Sequence, residues 1–359
     1  MNIKIIDLLK KRIVVRNFTI EIQKKYQKLK VKRPLSKEQK KSIQSYYKPL
    51  VGHKVPTIWH QFMYSRTGVF AIDYMPLSLY RTELIGRMNQ FPFMEAYADK
   101  NISYTLFPDV KQPKLIIKNM NGYFYTQDKA ITREEAIALC ENLDNAIIKP
   151  SMSTRGQGVK ALNIHNGISD TDHKSIHQIF DDYQQNFLVQ ERIQQHPALE
   201  ALNPTSANTI RLLSYRKDME IIILYTVIRI GKLNQVIDNE SAGGISARIN
   251  ADGTLAKYAY GAPGNDMVTH TDTGIELNGY AIPSYQKVIE TVKELHYQLP
   301  YFDIAAWDFA VDVNGDPVFI EWNANPDLSQ TANGPAFGEY TKQILSTIYQ
   351  KPNTRNPHW

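Results

Sequence analysis

Trp307-Asp308-Phe309-Ala310-Val311-Asp312 and, after a short break, Phe319-Ile320-Glu321-Trp322-Asn323-Ala324-Asn325-Pro326 decide how this chain folds. Both runs mix apolar and polar residues at strand spacing, and Asn314-Gly315 between them is a strong hairpin signal. The turn predicts that the strand bearing Asp308 lies beside the strand bearing Glu321 and Asn323. Residues two apart on a strand point to one face, so Glu321 and Asn323 share theirs. Two carboxylates and an amide oxygen converging there make a hard, all-oxygen donor set suited to Mg²⁺, which is typically shared with substrate phosphates. A solvated or lysine-paired acidic pair is the plainer alternative. Glu321 argues against it: Val318, Phe319, Ile320 and Trp322 around it are apolar, and an unpaired buried carboxylate is costly. A metal and nucleotide site is therefore expected at this hairpin.

At 359 residues the chain can bury one large core or two to three smaller ones. No apolar run approaches membrane-spanning length, and the N-terminus lacks the uninterrupted apolar stretch of a signal peptide. A cytoplasmic address is expected. The single cysteine, Cys140, excludes an internal disulfide framework and a cysteine zinc site. With Ala136, Leu139 and Leu143 it falls on one face of a predicted helix, where packing is its expected role.

The net charge of +6 is unevenly placed. Residues 1–48 hold fifteen Lys and Arg against three Asp and Glu, a balance of +12, so the remainder sums to −6. The basicity belongs to an arm, and no nucleic-acid groove across the fold is implied. Ile5, Leu9 and Ile13 recur at helical spacing among Lys4, Lys10, Lys11 and Arg12. Such a helix would suit an anionic membrane surface at the inner face; packing one stripe on the body is the preferred reading.

Four units are expected: a basic helical extension over 1–50, an α/β subdomain over 51–130, a small subdomain over 131–195 and a C-terminal subdomain over 196–350. Short strands and Pro or Gly turns are expected in the second unit. Thr132-Arg133-Glu134-Glu135 is a capping box opening a helix to about Asn142. Strands are expected at Asn145–Pro150, Phe187–Ile193, Thr209–Tyr215 and Glu220–Ile230, and a helix over Ser284–Leu299. Helices and strands interleave before a late antiparallel hairpin, giving an α+β chain.

After Lys149-Pro150 comes Ser151-Met152-Ser153-Thr154-Arg155-Gly156-Gln157-Gly158. Small hydroxyl residues and two glycines let backbone N–H groups close around phosphate oxygens, with Lys149 as a point charge. It is neither a Walker A loop nor a dinucleotide fingerprint, and alone it reads as an ordinary turn. Its weight comes from combination with the lysine before it and the acidic site downstream. Lys100 is a second lysine able to reach the same ligand.

Together, Lys149, the Ser/Gly loop, Val189-Gln190-Glu191-Arg192-Ile193, Asn208-Thr209-Ile210-Arg211 and Asp308…Glu321-x-Asn323 resemble the ATP-grasp superfamily. The nearest likeness is to its glutamate-ligase-like branch and to the sugar-transfer-associated ATP-grasp family. The latter likeness extends to Pro56-Thr57-Ile58-Trp59-His60 and Asp99-Lys100-Asn101, and covers most of residues 50–345. The resemblance implies two α+β subdomains clasping ATP. Lys100 and Lys149 would contact phosphates and the adenine edge, and Ser151, Ser153, Thr154, Gly156 and Gly158 would cover the β- and γ-phosphates. Gln190, Glu191 and the backbone at Ile193 would read the adenine amino edge. Arg211 and Arg229 would act in catalysis on the transferring phosphoryl group. Asp308, Glu321 and Asn323 would hold one or two Mg²⁺ ions, Mn²⁺ being able to substitute. Asp238, Asn239, Gly243, Gly244 and Arg248 would face the substrate. Some ATP-grasp ligases carry an arginine two residues before the first metal aspartate; here that position is Ala306, and Arg211 or Arg248 is expected to supply the charge. His196 and Glu200 are candidates for the ribose hydroxyls.

The resemblance further implies an ATP-dependent carboxylate–amine ligase working through an acyl phosphate. Its partners would be a small-molecule or glycan-linked carboxylate and an amine, an amino acid being expected, in bacterial surface-polysaccharide or capsule synthesis. A phosphotransferase acting on a sugar-type acceptor and a non-catalytic nucleotide-binding partner of a glycan-assembly complex are the alternatives. Trp59, His60, Phe62 and Tyr64 read as core first and as a glycan-facing surface second.

Overall fold

The computed structural model describes residues 3–127, 129–153, 156–235, 238, 240–264 and 267–354. Two antiparallel sheets organise it, as the α+β expectation requires. The smaller comprises β1 (Leu115–Met120), β2 (Tyr123–Tyr125), β3 (Ala130–Ile131), β4 (Leu143–Pro150), β5 (Lys160–His165), β6 (Ile168–Ser169) and β7 (Phe187–Glu191), in the order β3-β2-β1-β7-β4-β5-β6. The larger comprises β8 (Thr209–Lys217), β9 (Glu220–Ile230), β10 (Ile245–Ile249), β11 (Leu255–Tyr260), β12 (Ile304–Val311) and β13 (Pro317–Asn323), ordered β11-β10-β9-β8-β12-β13.

The quoted hairpin forms as its sequence demands. Gly315 takes φ +80° and donates its N–H to the Asp312 carbonyl at 2.9 Å, while the Asp312 side chain accepts from the Asn314 and Asp316 amides at 3.0 Å each. Glycine adopts that left-handed conformation without a steric penalty. The register sets Asp308 opposite Glu321 and then Phe309 opposite Phe319, so one residue of β13 is extra. This β-bulge leaves Ile320 and Glu321, two consecutive residues, both lining the same cleft.

All eight residues of β12 are buried, because both faces of the large sheet are covered. Ala305, Trp307, Phe309 and Val311 pack with Val288, Val292 and Leu295 of the helix Tyr285–Tyr297. Ile304 and Ala306 point the other way, into a core with Tyr47, Leu84 and Ile344 from the helical layer. On that second face three neighbouring strands change from apolar to charged near one end. Ala306 is followed by Asp308, Leu213 is preceded by Arg211, and Val227 is followed by Arg229. The core ends where the charges begin.

The small sheet alternates in the same way. Ala146 and Ile148 enter a core with Cys140, Ile176 and Phe180, whereas Ile147 and Lys149 face a cleft. The capping box at Thr132 is present, its hydroxyl accepting from the Glu135 amide at 3.1 Å; the helix ends at Leu139, earlier than expected. Cys140 is buried as expected, and burial pushes its thiol up to about 12. Leu139 departs from that face and is exposed.

One reading of the N-terminal third is corrected. Short strands were expected over 51–130, but among the described residues the named strands begin only at Leu115. Pro76 and Pro92 stand at helix starts and Gly68 caps a helix end at φ +75°, so these residues punctuate helices rather than strand turns. Strands β1 to β3 pair onto β7 through β1, which joins residues 115–131 to the small sheet. The basic arm is a helix, Ile3–Gln27, and it packs one stripe: Phe18, Ile22 and Tyr26 meet Trp59, Phe62, Met63 and Tyr74. Ile13 is exposed, and the side chains of Lys4, Ile5, Leu9 and Lys10 lie outside the described residues. Trp59, His60 and Phe62 are core, with burial holding the His60 imidazole down to about 4.

A polar knot locks the helix Tyr285–Tyr297 to the large sheet. Trp307 Nε1 donates to Ser214 Oγ at 2.7 Å, and Ser214 Oγ is also 2.7 Å from His296 Nδ1. Removing the hydroxyl leaves two buried polar groups without their partner. Ser214→Ala is expected to destabilise the protein by about 2–3 kcal/mol in denaturant unfolding.

Candidate active site

A cleft of about 540 Å³ lies between the two sheets and the helical layer, within the size range of small-molecule sites. Its centre is the charged end of the large sheet. Asp308 is buried and faces Arg211 across the β8–β12 register, with Arg211 Nη1 3.1 Å from Asp308 Oδ2. Arg229 Nη1 lies 3.7 Å from Asp308 Oδ1, and Asn323 Nδ2 donates to Asp308 Oδ2 at 3.4 Å. Burial is the largest influence on Asp308 and pushes its carboxyl up, with the two arginines offsetting part of that effect. Burial acts upward on Glu321 too, but Lys100 and Lys149 outweigh it and hold that carboxyl below its usual range.

Across the cleft, Lys100 Nζ reaches Glu321 Oε2 at 3.2 Å and donates to the Ser153 carbonyl at 2.7 Å. Lys149 is buried on β4. Burial and the nearby Lys100 charge bring its ammonium down to about 8, against the pull of Glu321. Gly158 has φ +72°, and a Cβ there would stand 2.8 Å from Pro150 Cγ, so the loop can fold back on the strand end only with glycine. Gln190 and Ile193 line the cleft. On the far side of Arg229, Asp238 accepts a hydrogen bond from Thr209 Oγ1, and burial raises its carboxyl to about 6.

The other proposed site residues fall elsewhere. Glu191 faces solvent and pairs with Lys114 at 2.8 Å. Ser151 is buried behind the loop, offering its carbonyl to the Lys100 amide at 3.2 Å. Gly243 and Gly244 follow a short 3-10 turn and, with Arg248, are not among the residues lining the cleft; Arg248 is exposed on β10. Arg211 stands beside the aspartate that Ala306 precedes. His196 caps the helix Pro197–Leu202, its Nδ1 accepting from the Ala198 amide at 3.2 Å, and neither it nor Glu200 lines the cleft. Thr154 and Asn239 lie outside the described residues.

Residues 79–345 match the family described as sugar-transfer associated ATP-grasp. The chain belongs to that family. Among solved structures, this ATP-grasp protein is similar to an L-amino acid ligase from Bacillus licheniformis, at 10% identity over 74% of this chain and 51% of that one, with a TM-score of 0.38. It is also similar to the VanG D-Ala:D-Ser ligase from Enterococcus faecalis, at 13% identity over 70% and 61%, with a TM-score of 0.42. A third is biotin carboxylase from Campylobacter jejuni, at 12% identity over 74% and 49%, with a TM-score of 0.43. The chain thus spans about half to three fifths of each. At these identities the likeness concerns the fold alone. No curated protein matches the sequence.

The side chains present fit an anionic ligand carrying a divalent cation. The ATP-grasp cleft is lined by Arg81, Lys100, Lys149, Arg192, Arg211 and Arg229 against Asp238, Asp308, Glu321 and Asp327, an excess of two positive charges. Arg211 Nε is buried without a hydrogen-bond partner, as a donor awaiting an acceptor would be. Among the described residues no group of three or more His, Cys, Asp or Glu side chains could hold a metal alone. Two carboxylates and an amide suffice for Mg²⁺ when phosphates complete its shell.

Among the cleft residues not put forward as site candidates from the sequence are Phe18, Arg81, Thr209, Asn325 and Asp327. Asn325 and Asp327 continue the two-residue period of Glu321 and Asn323, Asn325 within the quoted stretch and Asp327 one residue beyond it. Thr209 adjoins the Arg211 strand motif. Phe18 and Arg81 arrive from the helical layer, where no local pattern announces them.

Proposed function

We propose that this chain is an ATP-dependent carboxylate–amine ligase, with the small and large sheets as the two lobes that clasp the nucleotide. The observation that carries the reading is the charged row Arg229, Arg211, Asp308 and Glu321 on one wall, facing Lys100 and Lys149 on the other. Mg²⁺·ATP, when bound, supplies the transferable phosphoryl group and the divalent charge that screens its oxygens. Asp308, Glu321 and Asn323 would hold the metal. Lys100, Lys149 and the Ser151–Gly158 loop would hold the phosphates, and Gln190 with the Glu191–Ile193 backbone the adenine edge. Arg211 and Arg229 would neutralise charge developing on the phosphoryl oxygens during transfer.

A carboxylate oxygen attacks the γ-phosphorus and ADP leaves; an amine then attacks the acyl carbon, phosphate leaves and an amide forms. The attacking amine must lose a proton. Asp238, beside Arg229 and with its carboxyl raised to about 6, would accept it at neutral pH. We assign the amine to an amino acid and the acid to a sugar acid or glycan precursor of surface-polysaccharide synthesis, a reading supported by family membership.

Phosphate release measured against a panel of sugar acids and amino acids tests this. ADP, free phosphate and an amide product are expected. A phosphorylated acceptor would replace the ligase with a phosphotransferase, and ATP binding without turnover by any pair would point to a non-catalytic partner.

A further inference from the structure

One end of the cleft is left unused by the nucleotide and metal assignments. Along the wall that continues β13, the facing cation changes. Lys100 bonds Glu321, whereas Arg81 donates to the Asn325 carbonyl at 2.9 Å and to the Asn325 and Asp327 side chains. Arg81 projects from a single π-helical turn, Tyr80–Leu84, and its guanidinium lies 5.6 Å from the centre of the Tyr80 ring. Such turns are rare and frequently found at functional sites.

Phe18 enters the same cleft from the N-terminal helix Ile3–Gln27. That helix is pinned to the π-helical turn: Lys11, two turns before Phe18, pairs with Glu83 at 2.9 Å. Glu83 is buried and also accepts from the Tyr349 hydroxyl at 2.8 Å and bonds His53 Nε2 at 2.9 Å. The wall that presents Phe18 and Arg81 is thus fixed from three parts of the chain. Phe18 precedes the segment 79–345 that matches the family, so this contribution lies outside the matched region.

We propose that Arg81, Asp327 and Phe18 form an acceptor subsite for a free α-amino acid, Arg81 binding its carboxylate, Asp327 its ammonium and Phe18 its side chain. The inference rests on the ligase reading and specifies the residues that select its amine. Two opposite charges side by side at one end of a cleft complement a zwitterion, and the planar guanidinium fork matches a carboxylate bidentately. Phe18 lines the same cleft, and an aromatic side chain there favours an apolar ligand side chain over none.

The test uses the full chain saturated with Mg²⁺ and a non-hydrolysable ATP analogue, titrated calorimetrically with glycine, L-leucine, L-phenylalanine and 3-methylbutylamine, which is leucine without its carboxylate. L-Leucine and L-phenylalanine are expected to bind, and the amine at least about tenfold more weakly. Arg81→Lys, which keeps the charge but loses the fork, is expected to weaken every amino acid about tenfold while the analogue's affinity stays within about threefold. Phe18→Ala is expected to weaken leucine and phenylalanine about fivefold and leave glycine unchanged, and Phe18→Leu to restore leucine. The proposal is overturned if the analogue binds but no amino acid does, or if both substitutions leave amino-acid affinities untouched. Failure of the unaltered chain to bind the analogue would overturn the ligase reading itself.

Discussion

Glu321→Gln is expected to lower kcat/KM of the ATP-dependent reaction by roughly 10²- to 10³-fold, the scale of losing one preorganised charge-stabilising group. Glutamine keeps the volume and one oxygen, so the hairpin and its bulge stay in place. What disappears is the negative charge that Lys100 meets at 3.2 Å and that Lys149 feels through the cleft. Of the two carboxylates proposed to hold the metal, Asp308 alone would then remain, with its own charge already opposed by Arg211 and Arg229. Steady-state kinetics across a Mg²⁺ series check the result, and a melting temperature within a few degrees of the unaltered protein shows that the fold is intact. Near-normal turnover at ordinary Mg²⁺ would falsify the metal assignment.

Lys149→Met is expected to act in opposite directions on binding and on stability. Nucleotide affinity should fall about 10- to 100-fold, the worth of a charge-assisted contact to phosphate. The unliganded protein should become more stable. Bringing the ammonium from 10.5 down to about 8 corresponds to roughly 3 kcal/mol against the charged form at neutral pH. That figure already includes the pull of Glu321, so the net gain should be at most about 3 kcal/mol. The sign with pH follows from proton counting. Because the folded-state value lies below the unfolded one, the unfolded chain binds more protons between about 8 and 10.5, and the unaltered protein gains stability as pH rises through that window. The advantage of the variant should therefore be full below about pH 8 and shrink above it. Denaturant unfolding at pH 7 and pH 10, without nucleotide, measures both parts.

Strands β8, β9, β12 and β13 of the large sheet were legible in the sequence because their signals are local, whereas β10 and β11 were not expected. Asn314-Gly315 forces one hairpin, and the alternation of Trp307, Phe309 and Val311 against Asp308 announces a strand with one polar interruption. The Thr132 capping box and the helix from Tyr285 were legible for the same reason. The helical layer was misread where proline serves two masters: it opens helices and it breaks strands, and only tertiary packing decided for Pro76 and Pro92. Of the site, Lys100, Lys149, Gln190, Arg211, Arg229, Asp308, Glu321 and Asn323 all line one cleft. Glu191 does not, because a strand sends neighbours to opposite sides and Gln190 takes the inner position. Arg248 does not either, for a different reason: it shares the face of Val227 but is exposed on β10, outside the strands that carry Arg211, Asp308 and Glu321. Phe18 and Arg81 depend on how a helix far away in sequence docks, which no short-range spacing encodes.

The extra residue in β13 gives that strand two phases. Phe319 and Trp322 enter the same core although they are three positions apart, a spacing that a regular strand would send to opposite sides. Between them Ile320 and Glu321 both turn to the cleft. The bulge therefore works as a phase shifter: it lets one strand keep an unbroken seam with the hydrophobic interior while turning two adjacent side chains to the cleft. A shape-preserving change at Ile320 alters the floor of the cleft alone, whereas any change of length there re-indexes the strand and moves the carboxylate and the core together.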